Sequence, residues 1–183
     1  MSRVVFLLEE YSMKVLLDGL LPRLFPGLPF LCVPHEGKQD LEKSLPRKLR
    51  AWREPGVKFC VIRDNDRGDC KELKQHLIIL CQQAGRGDTL VRIACQELEA
   101  WYFGEPSALA AAFHAQGLRN LAAKARFREP DNIANPCLAL TKLVPEFQKV
   151  LGARKMGERL TRNNTSPSFH VFLEGIRHLM KDF

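Results

Sequence analysis

The chain has 183 residues with a formal net charge of +7, and its hydrophobic and charged fractions, 45% and 27%, are ordinary for a globular protein. This length suits one compact domain with a sizeable core. No apolar run approaches the roughly 20 residues that a membrane-spanning helix needs. The apolar stretch in MSRVVFLLEEYS is also too short for a secretory signal peptide. We therefore expect a cytoplasmic protein that does not bind a membrane.

The first half of the chain alternates between short apolar runs and helical patterns. Four apolar runs predict strands: VVFLL (4–8), PFLCVP (29–34), VKFCVI (57–62) and TLVRIAC (89–95). The segment SMKVLLDGLLPRLF predicts a helix with Ser12 as its N-cap. DLEKSLPRKLRAWRE predicts a basic helix or a pair of turns, because Pro46 is costly inside a helix. A third helix is expected from about Cys70 to Ala84, with Asp69 as its N-cap.

This alternation of strands and helices is typical of βαβ units. The predicted fold class is therefore α/β, with a largely parallel sheet of about four strands flanked by helices. From about residue 97 onward the pattern is mostly helical, as in SALAAAFHAQG, PCLALTKLVPEF and SFHVFLEGIRHLMKDF, whereas RLTRNNTSPS (159–168) predicts an exposed, mobile loop.

The chain divides by charge as well as by pattern. Residues 1–117 carry 16 Lys and Arg against 15 Asp and Glu, whereas residues 118–183 carry 12 against 6. We interpret residues 1–117 as an α/β core and residues 118–183 as a basic, helical extension packed on it, the two forming a single compact unit. The excess positive charge of the extension favours a nucleic-acid partner.

Acidic side chains follow three of the four predicted strands. They are Glu9, Glu10, Asp64, Asp66, Asp69, Glu97 and Glu99. Because ligands of an open parallel sheet bind outside the carboxyl ends of the strands, these acids are expected at one edge. Carboxylates packed together raise one another's pKa unless a cation neutralises them. Hard oxygen ligands without histidine or thiolate partners favour Mg²⁺ or Mn²⁺.

Each acidic group also has a simpler interpretation when it is considered alone. Aspartates after a strand commonly form turns or cap helices, as Asp69 is expected to do. Glu97 and Glu99 could be acids of a first helical turn, which the helix dipole favours. The order of the acids along the chain and their shared edge favour the metal site.

That order resembles the Toprim pattern, in which a glutamate after one strand is followed by an Asp-x-Asp pair after another. LLEEYS and IRDNDRGDC match these two blocks. Together with RIACQELEAWYFGE and SFHVFLEGIRHL, they make the chain similar to a bacterial Toprim-like family known as domain of unknown function 4276. This family is related to the Toprim domains of the overcoming-lysogenization-defect (OLD) nucleases, and the resemblance spans nearly the whole chain.

The resemblance implies a nuclease that depends on Mg²⁺ or Mn²⁺. Carried over by position, it makes Glu9, Asp64 and Asp66 catalytic and metal-binding residues, with Glu99 or Glu97 as a further metal ligand. The chain departs from the pattern at Glu10, where Toprim domains usually have a glycine that permits a tight turn. This departure affects the expected geometry for catalysis more than it affects metal binding.

Basic residues would hold the phosphate backbone of DNA or RNA. The candidates lie in the second predicted helix and in the extension: Arg47, Lys48, Arg50, Arg53, Lys124, Arg126, Arg128, Arg154, Lys155, Arg159 and Arg162. The resemblance also implies an ATPase partner protein and a role in bacterial phage defence. The alternative is an inactive or regulatory Toprim-like subunit that binds nucleic acid. A phosphoacceptor receiver domain is disfavoured, because the sequence lacks a lysine after a fifth strand.

Overall fold

Four strands form one parallel sheet in the computed structural model, which describes residues 2–181. They are β1 (Arg3–Leu8), β2 (Phe30–Pro34), β3 (Val57–Asp64) and β4 (Leu90–Ala94). Their order across the sheet is β2-β1-β3-β4, and every neighbouring pair is parallel. The α/β class and the parallel sheet of four strands are therefore confirmed.

Three helices make the connections between the strands, and five more follow the last strand. The connecting helices are α1 (Tyr11–Leu24), α2 (Lys38–Ala51) and α3 (Cys70–Gln83). Those that follow β4 are α4 (Ala100–Phe103), α5 (Pro106–Phe113), α6 (Pro136–Leu143), α7 (Lys149–Gly157) and α8 (Pro167–Met180). Three short 3₁₀ segments, Gln116–Ala123, Ala125–Phe127 and Pro130–Asn132, join α5 to α6. The last two residues of SFHVFLEGIRHLMKDF lie outside the described residues.

The sheet separates two apolar layers, because successive side chains of a strand point to opposite faces. Phe6 and Ile62 pack in the larger layer with α1, α4, α5 and the C-terminal helices. Leu7 and Val61 pack on the other face against α2 and α3. Residues beyond 118 thus contribute to the same core as the strands. Among the described residues, no helix combines the length and the apolar character needed to cross a membrane.

One local prediction about the helices was wrong, and an alternative that the sequence left open is decided. Helix α1 begins at Tyr11, so Ser12 lies inside it, and the Ser12 hydroxyl donates a hydrogen bond to the N-cap residue Glu10. Helix α2 runs without interruption through Pro46. Proline costs about 3 kcal/mol inside a helix, but Leu41, Leu45 and Leu49 are fully buried on one face of α2. Burial stabilises by roughly 1.5–3 kcal/mol for each such side chain, which outweighs the proline.

The predicted exposed loop at residues 159–168 is only partly exposed, because buried residues alternate with exposed ones along this connection. Leu160, Asn164 and Ser166 are at most 1% exposed. The Asn164 side-chain amide donates to the Trp101 carbonyl at 2.7 Å, and its oxygen accepts from the Ser166 amide at 2.8 Å. Polar residues can therefore be buried here because their hydrogen bonds are made within the protein. Helix α7 was not predicted at all.

Glu105 fixes the beginning of this connection. Its carboxylate accepts hydrogen bonds from the Thr161 amide and the Thr161 hydroxyl, both at 2.7 Å. We expect Glu105→Gln to lower the free energy of unfolding by about 1–2 kcal/mol, since hydrogen bonds to a charged group are the stronger ones. Thermal denaturation against Glu158→Gln, whose side chain is 60% exposed, checks this. Equal midpoints for the two variants would contradict the assigned role.

Candidate metal centre

The carboxyl end of β3 brings Asp64 to the centre of the sheet edge. Asp64 is the last residue of the strand and is 4% exposed. Because side chains alternate, it points to the same face as Cys60 and Ile62, toward α1 and α4. Its Oδ1 atom is buried and has no hydrogen-bond partner among the described residues. An unpartnered buried carboxylate oxygen is costly unless a cation or a proton satisfies it.

Glu9 lies beside Asp64, as the sequence predicts. A Glu9 carboxylate oxygen accepts a hydrogen bond from the Asp64 amide at 3.0 Å. The same oxygen is 3.8 Å from Nε of Arg63, a 9% exposed residue whose guanidinium also contacts Glu42. Arg63 lies on the opposite face of β3 from Asp64. The adjacent ends of β1 and β3 therefore hold two acids side by side. The backbone amide of Asp64 and the buried Arg63 fix the position of the Glu9 carboxylate.

Glu99 supplies a third acid from the turn before α4. It is completely buried, and neither of its carboxylate oxygens has a hydrogen-bond partner among the described residues. The Tyr102 hydroxyl, one helical turn away, is likewise buried and unpartnered. Glu99 raises the pKa of Asp64, and Asp64 raises the pKa of Tyr102, so the three groups lie near one another. This cluster of buried oxygens, together with Glu9, is called the pocket below. The pocket therefore contains several oxygen atoms and lacks protein donors for them.

Lys149 is the cation of this pocket. It is the first residue of α7, and its Nζ lies 3.3 and 3.4 Å from the two carboxylate oxygens of Glu10. Helix α7 reaches this position because it packs closely on α1, where Gly157 and Gly19 face each other. Glu10 has an extended backbone with φ of −144°, which any residue adopts, so the glycine usual in Toprim domains is not required here.

The pKa values of the acids reflect burial and mutual repulsion. Burial is the main cause that raises the pKa of Asp64 well above its usual range, and the negative charges of Glu9, Glu99 and Glu10 add to it. Burial likewise raises the pKa of Glu99 to about 7. Glu9 also has a raised pKa, chiefly through burial. Burial lowers the pKa of Lys149, but Glu99 and Glu10 outweigh it and leave that pKa raised. The pocket is thus short of positive charge.

Two of the predicted site acids have other partners. Asp66 lies on the loop after β3 with a positive φ of 47°, and its exposed carboxylate pairs with Lys38 at 3.1 Å. It still raises the pKa of Glu9, so it lies near the edge. Glu97 accepts a hydrogen bond from the Cys137 amide at 2.8 Å, at the beginning of α6. Asp69 caps α3, as predicted, by accepting from the Lys71 and Glu72 amides.

The donor chemistry of the pocket fits a hard divalent cation. The unpartnered buried oxygens of Asp64 and Glu99 are the ligand type that Mg²⁺ and Mn²⁺ prefer. Within residues 2–181, however, no three His, Cys, Asp or Glu side chains are grouped closely enough to hold a metal ion in their present positions. Glu9 and Asp66 are each held by another partner. Metal binding would therefore require at least one of them to exchange that partner for the metal.

The predicted nucleic-acid-binding residues divide into free and occupied cations. Lys48 donates to His35 at 2.7 Å, and Lys155 lies 5.0 Å from the centre of the Phe113 ring. Arg162 bonds the Leu24 carbonyl. Arg159 is partly buried and bonds the Lys155 carbonyl. Arg126 is exposed and lies over the Phe127 ring, 5.2 Å from its centre. The remaining candidates are exposed: Arg47, Arg50, Arg53, Lys124, Arg128 and Arg154. The exposed cations lie on and just after α2, on the segment before α6 and on α7.

A parallel sheet with this strand order, and with acids after β1 and β3, defines a Toprim-like α/β domain. The chain belongs to the family described as Domain of unknown function (DUF4276), whose sequence profile matches residues 8–177. No curated protein matches the chain.

Solved structures with the same fold are C-terminal regions of OLD proteins. That of Burkholderia pseudomallei aligns with a TM-score of 0.54 and 17% identity, over 97% of this chain and 98% of the other. That of Xanthomonas campestris pv. campestris aligns with a TM-score of 0.56 and 13% identity, over 99% and 97%. At these identities the likeness establishes the fold. The resemblance to Toprim domains that the sequence predicts is thereby confirmed at the level of fold and family.

The sequence did not indicate three of the residues that lie in or beside the pocket. Arg63 precedes Asp64 directly, and an arginine within a buried strand could have been recognised as the partner of an acid. For Tyr102 the sequence favoured core packing over stacking on a base, and neither interpretation placed its hydroxyl beside the acids. Lys149 carries no local signal, because α7 lies more than 130 residues from Glu10 and only tertiary packing brings the two together.

The raised pKa of Glu99 makes the stability of the metal-free protein dependent on pH. Between about 4.5 and about 7 the folded protein binds more protons at this site than the unfolded chain does. The free energy of unfolding should therefore fall as the pH rises through this window, by at most about 1.4 kcal/mol for each pH unit. Glu99→Gln should flatten the dependence. Urea titrations across this pH range in EDTA measure it, and an unchanged slope in the variant would contradict the assignment.

Proposed function

We propose that the protein is a nuclease that hydrolyses phosphodiester bonds with the help of Mg²⁺ or Mn²⁺. The observation that carries the proposal is the buried pocket in which the carboxylate oxygens of Asp64 and Glu99 lack partners, at the sheet edge where a Toprim domain has its acids. The metal ion, when bound, would polarise a phosphoryl oxygen and lower the pKa of a water molecule.

The residues of the chain have distinct roles in this proposal. Asp64 and Asp66 hold the metal, and Glu99 completes the ligand set, with Glu97 as the other candidate. Glu9 binds the metal or takes the proton of the attacking water. A carboxylate whose pKa is raised by burial, as that of Glu9 is, takes up a proton more readily near neutral pH. Lys149 holds Glu10 and offsets part of the negative charge of the pocket.

Nucleic acid is the proposed substrate because the surface carries exposed cations, of which those beside α6 lie next to the cleft lined by Asp66 and Glu97. Arg47 and Arg50 lie on α2, and Arg126 and Arg128 lie beside α6. Such cations bind phosphates by charge and are independent of sequence. An ATPase is the proposed partner protein, since the structural relatives are C-terminal regions of longer proteins of the OLD type. A role in bacterial phage defence follows from the same resemblance.

A regulatory subunit that binds nucleic acid without cleaving it is the second candidate. Two observations favour it: Lys149 already supplies a positive charge to the pocket, and the described residues contain no group of three ligands in place for a metal. In this alternative Lys149 permanently takes the part of the cation. The acids then serve only to position α7 against the sheet.

Cleavage and metal binding separate the two candidates. The purified protein is incubated with plasmid, single-stranded DNA and tRNA in Mn²⁺, with EDTA as the control, and Mn²⁺ binding is measured by calorimetry. Cleavage that EDTA abolishes supports the nuclease. Mn²⁺ binding without cleavage, also after an ATPase partner is added, supports the regulatory subunit. Absence of Mn²⁺ binding at millimolar concentration contradicts the proposed metal site.

A further inference from the structure

A basic cleft lies beside the acidic edge, between the segment after α5 and helix α6. Its volume is about 690 Å³, and Arg126, Arg128 and Lys142 line it together with one acid, Glu129. Among residues 2–181, no acidic side chain forms an ion pair with any of the three cations. Unpaired cations around a concave surface attract anions, and guanidinium groups match the geometry of phosphate.

The same cleft has apolar surface that phosphate alone would not use. Ile133 and Ala139 form its floor and are 4% and 2% exposed. Leu138, on the wall of the cleft, is 53% exposed although it is a large apolar side chain. Asn135 also lines the cleft, and its residue type has an amide side chain with both a donor and an acceptor. An apolar wall beside cations suits a ligand that joins a flat, hydrogen-bonding ring to phosphate.

The basic cleft is continuous with the acidic edge. A smaller cleft of about 90 Å³ is lined by Asp66, Gln96 and Glu97, and it shares Ala134 and Asn135 with the basic cleft. A chain of phosphates bound along the three cations can therefore continue toward the acids without leaving the surface. This continuity separates the basic cleft from the cations of α2, which line none of these surfaces.

We propose that the basic cleft binds a single-stranded segment of nucleic acid, next to the phosphate that is cleaved. Its phosphates lie on Arg126, Arg128 and Lys142, and an unpaired base packs against Leu138 and Ile133. In a duplex the faces of the bases are hidden in the stack, so only an unpaired strand uses both the cations and the apolar wall. The inference rests on the proposed function and names its substrate class.

Fluorescence anisotropy with a labelled thymidine oligomer of about ten nucleotides tests the proposal. EDTA is present, so that no cleavage occurs. The double variant Arg128→Gln/Lys142→Gln should weaken binding by at least about tenfold and reduce the salt slope by roughly 0.7 for each cation removed. Arg177→Gln/Lys181→Gln is the matched control, because it also removes two exposed positive charges, at the end of α8 and outside the lining of the cleft. It should leave binding within about twofold of the wild type.

The base contact has its own test. Leu138→Ser should weaken binding of the thymidine oligomer by about threefold or more, while binding of an abasic oligomer of equal length stays the same. Since the Leu138 side chain is largely exposed, this variant should fold normally.

Three outcomes would overturn the inference: no binding of the oligomer by the wild type, equal binding by the double variant and the control, or tighter binding of a duplex of equal length. Failure of the nuclease proposal is a separate result. Cleavage that the cleft variants leave unchanged refutes the cleft but not the nuclease. Oligomer binding that depends on the cleft, without cleavage in Mn²⁺, supports the cleft and refutes the nuclease.

Discussion

Asp64→Asn should reduce metal-dependent cleavage by more than about 100-fold. Replacement of residues that merely orient metal ligands costs about 10–100-fold, so loss of a charged ligand should cost more. The amide keeps the size of the side chain, but it removes the charge that a divalent cation requires. Cleavage in Mn²⁺ by the variant and the wild type, purified in parallel, gives the measurement. Equal rates would show that the activity belongs to a contaminant or to another site.

The same substitution should stabilise the protein when metal is absent. Asp64 is buried among acids, and its pKa is raised because the pocket disfavours a further negative charge. Each kcal/mol recovered raises the midpoint of thermal unfolding by roughly 2–4 °C for a chain of this size. Asp88→Asn is the matched control. Asp88 is an exposed acid just before β4, at the edge of the sheet opposite to Asp64. A lower midpoint for Asp64→Asn than for the control, in EDTA at neutral pH, would contradict the inference that the pocket is short of positive charge.

Lys149→Met should destabilise the metal-free protein by about 1 kcal/mol. The Lys149 side chain is 42% exposed and that of Glu10 is 28% exposed, so solvent screens the pair and the loss is that of a surface ion pair. It lies at the upper end of that range because Glu99 acts on Lys149 as well as Glu10 does. Mn²⁺ should restore more stability to this variant than it adds to the wild type, because the metal then supplies the missing charge. Thermal unfolding in EDTA and in Mn²⁺ gives both numbers.

Lys14→Met is the control for this experiment. It removes a lysine from the exposed i,i+4 pair of Lys14 with Asp18, 2.6 Å apart on α1, and should change stability by only about 0.3–0.5 kcal/mol. A loss of stability in Lys149→Met that Mn²⁺ does not reverse would favour the regulatory subunit. In that alternative Lys149 permanently replaces the metal ion.

The strands and the acids that end them could be predicted from the sequence because their signals are local. A short apolar run with β-branched residues, such as VKFCVI, predicts a buried parallel strand. Parallel strands carry their carboxyl ends to one edge, so the proximity of Glu9 and Asp64 follows from the topology alone. The cap of α3 was predictable for the same reason, since an aspartate before a helix accepts from its first amides.

Other features depend on tertiary packing that leaves no local pattern. The segment at residues 159–168 has the composition of an exposed loop, yet Glu105 and Trp101 supply partners for Thr161 and Asn164 that allow its partial burial. Glu97 is a glutamate that follows the same strand as Glu99, but its carboxylate already accepts a hydrogen bond from the Cys137 amide at the beginning of α6. Periodicity and residue type cannot distinguish a free acid from one that already has a partner.

A crystal structure of the protein soaked in Mn²⁺, with anomalous scattering recorded from the metal, tests the central claim most directly. The account predicts a manganese peak within ligand distance, about 2.0–2.3 Å, of Asp64 and of at least one of Glu9, Asp66 and Glu99. It also predicts that the peak disappears in Asp64→Asn crystals treated in the same way. A pocket without a peak at saturating Mn²⁺, or a peak bound only by residues away from the carboxyl ends of β1 and β3, would contradict it.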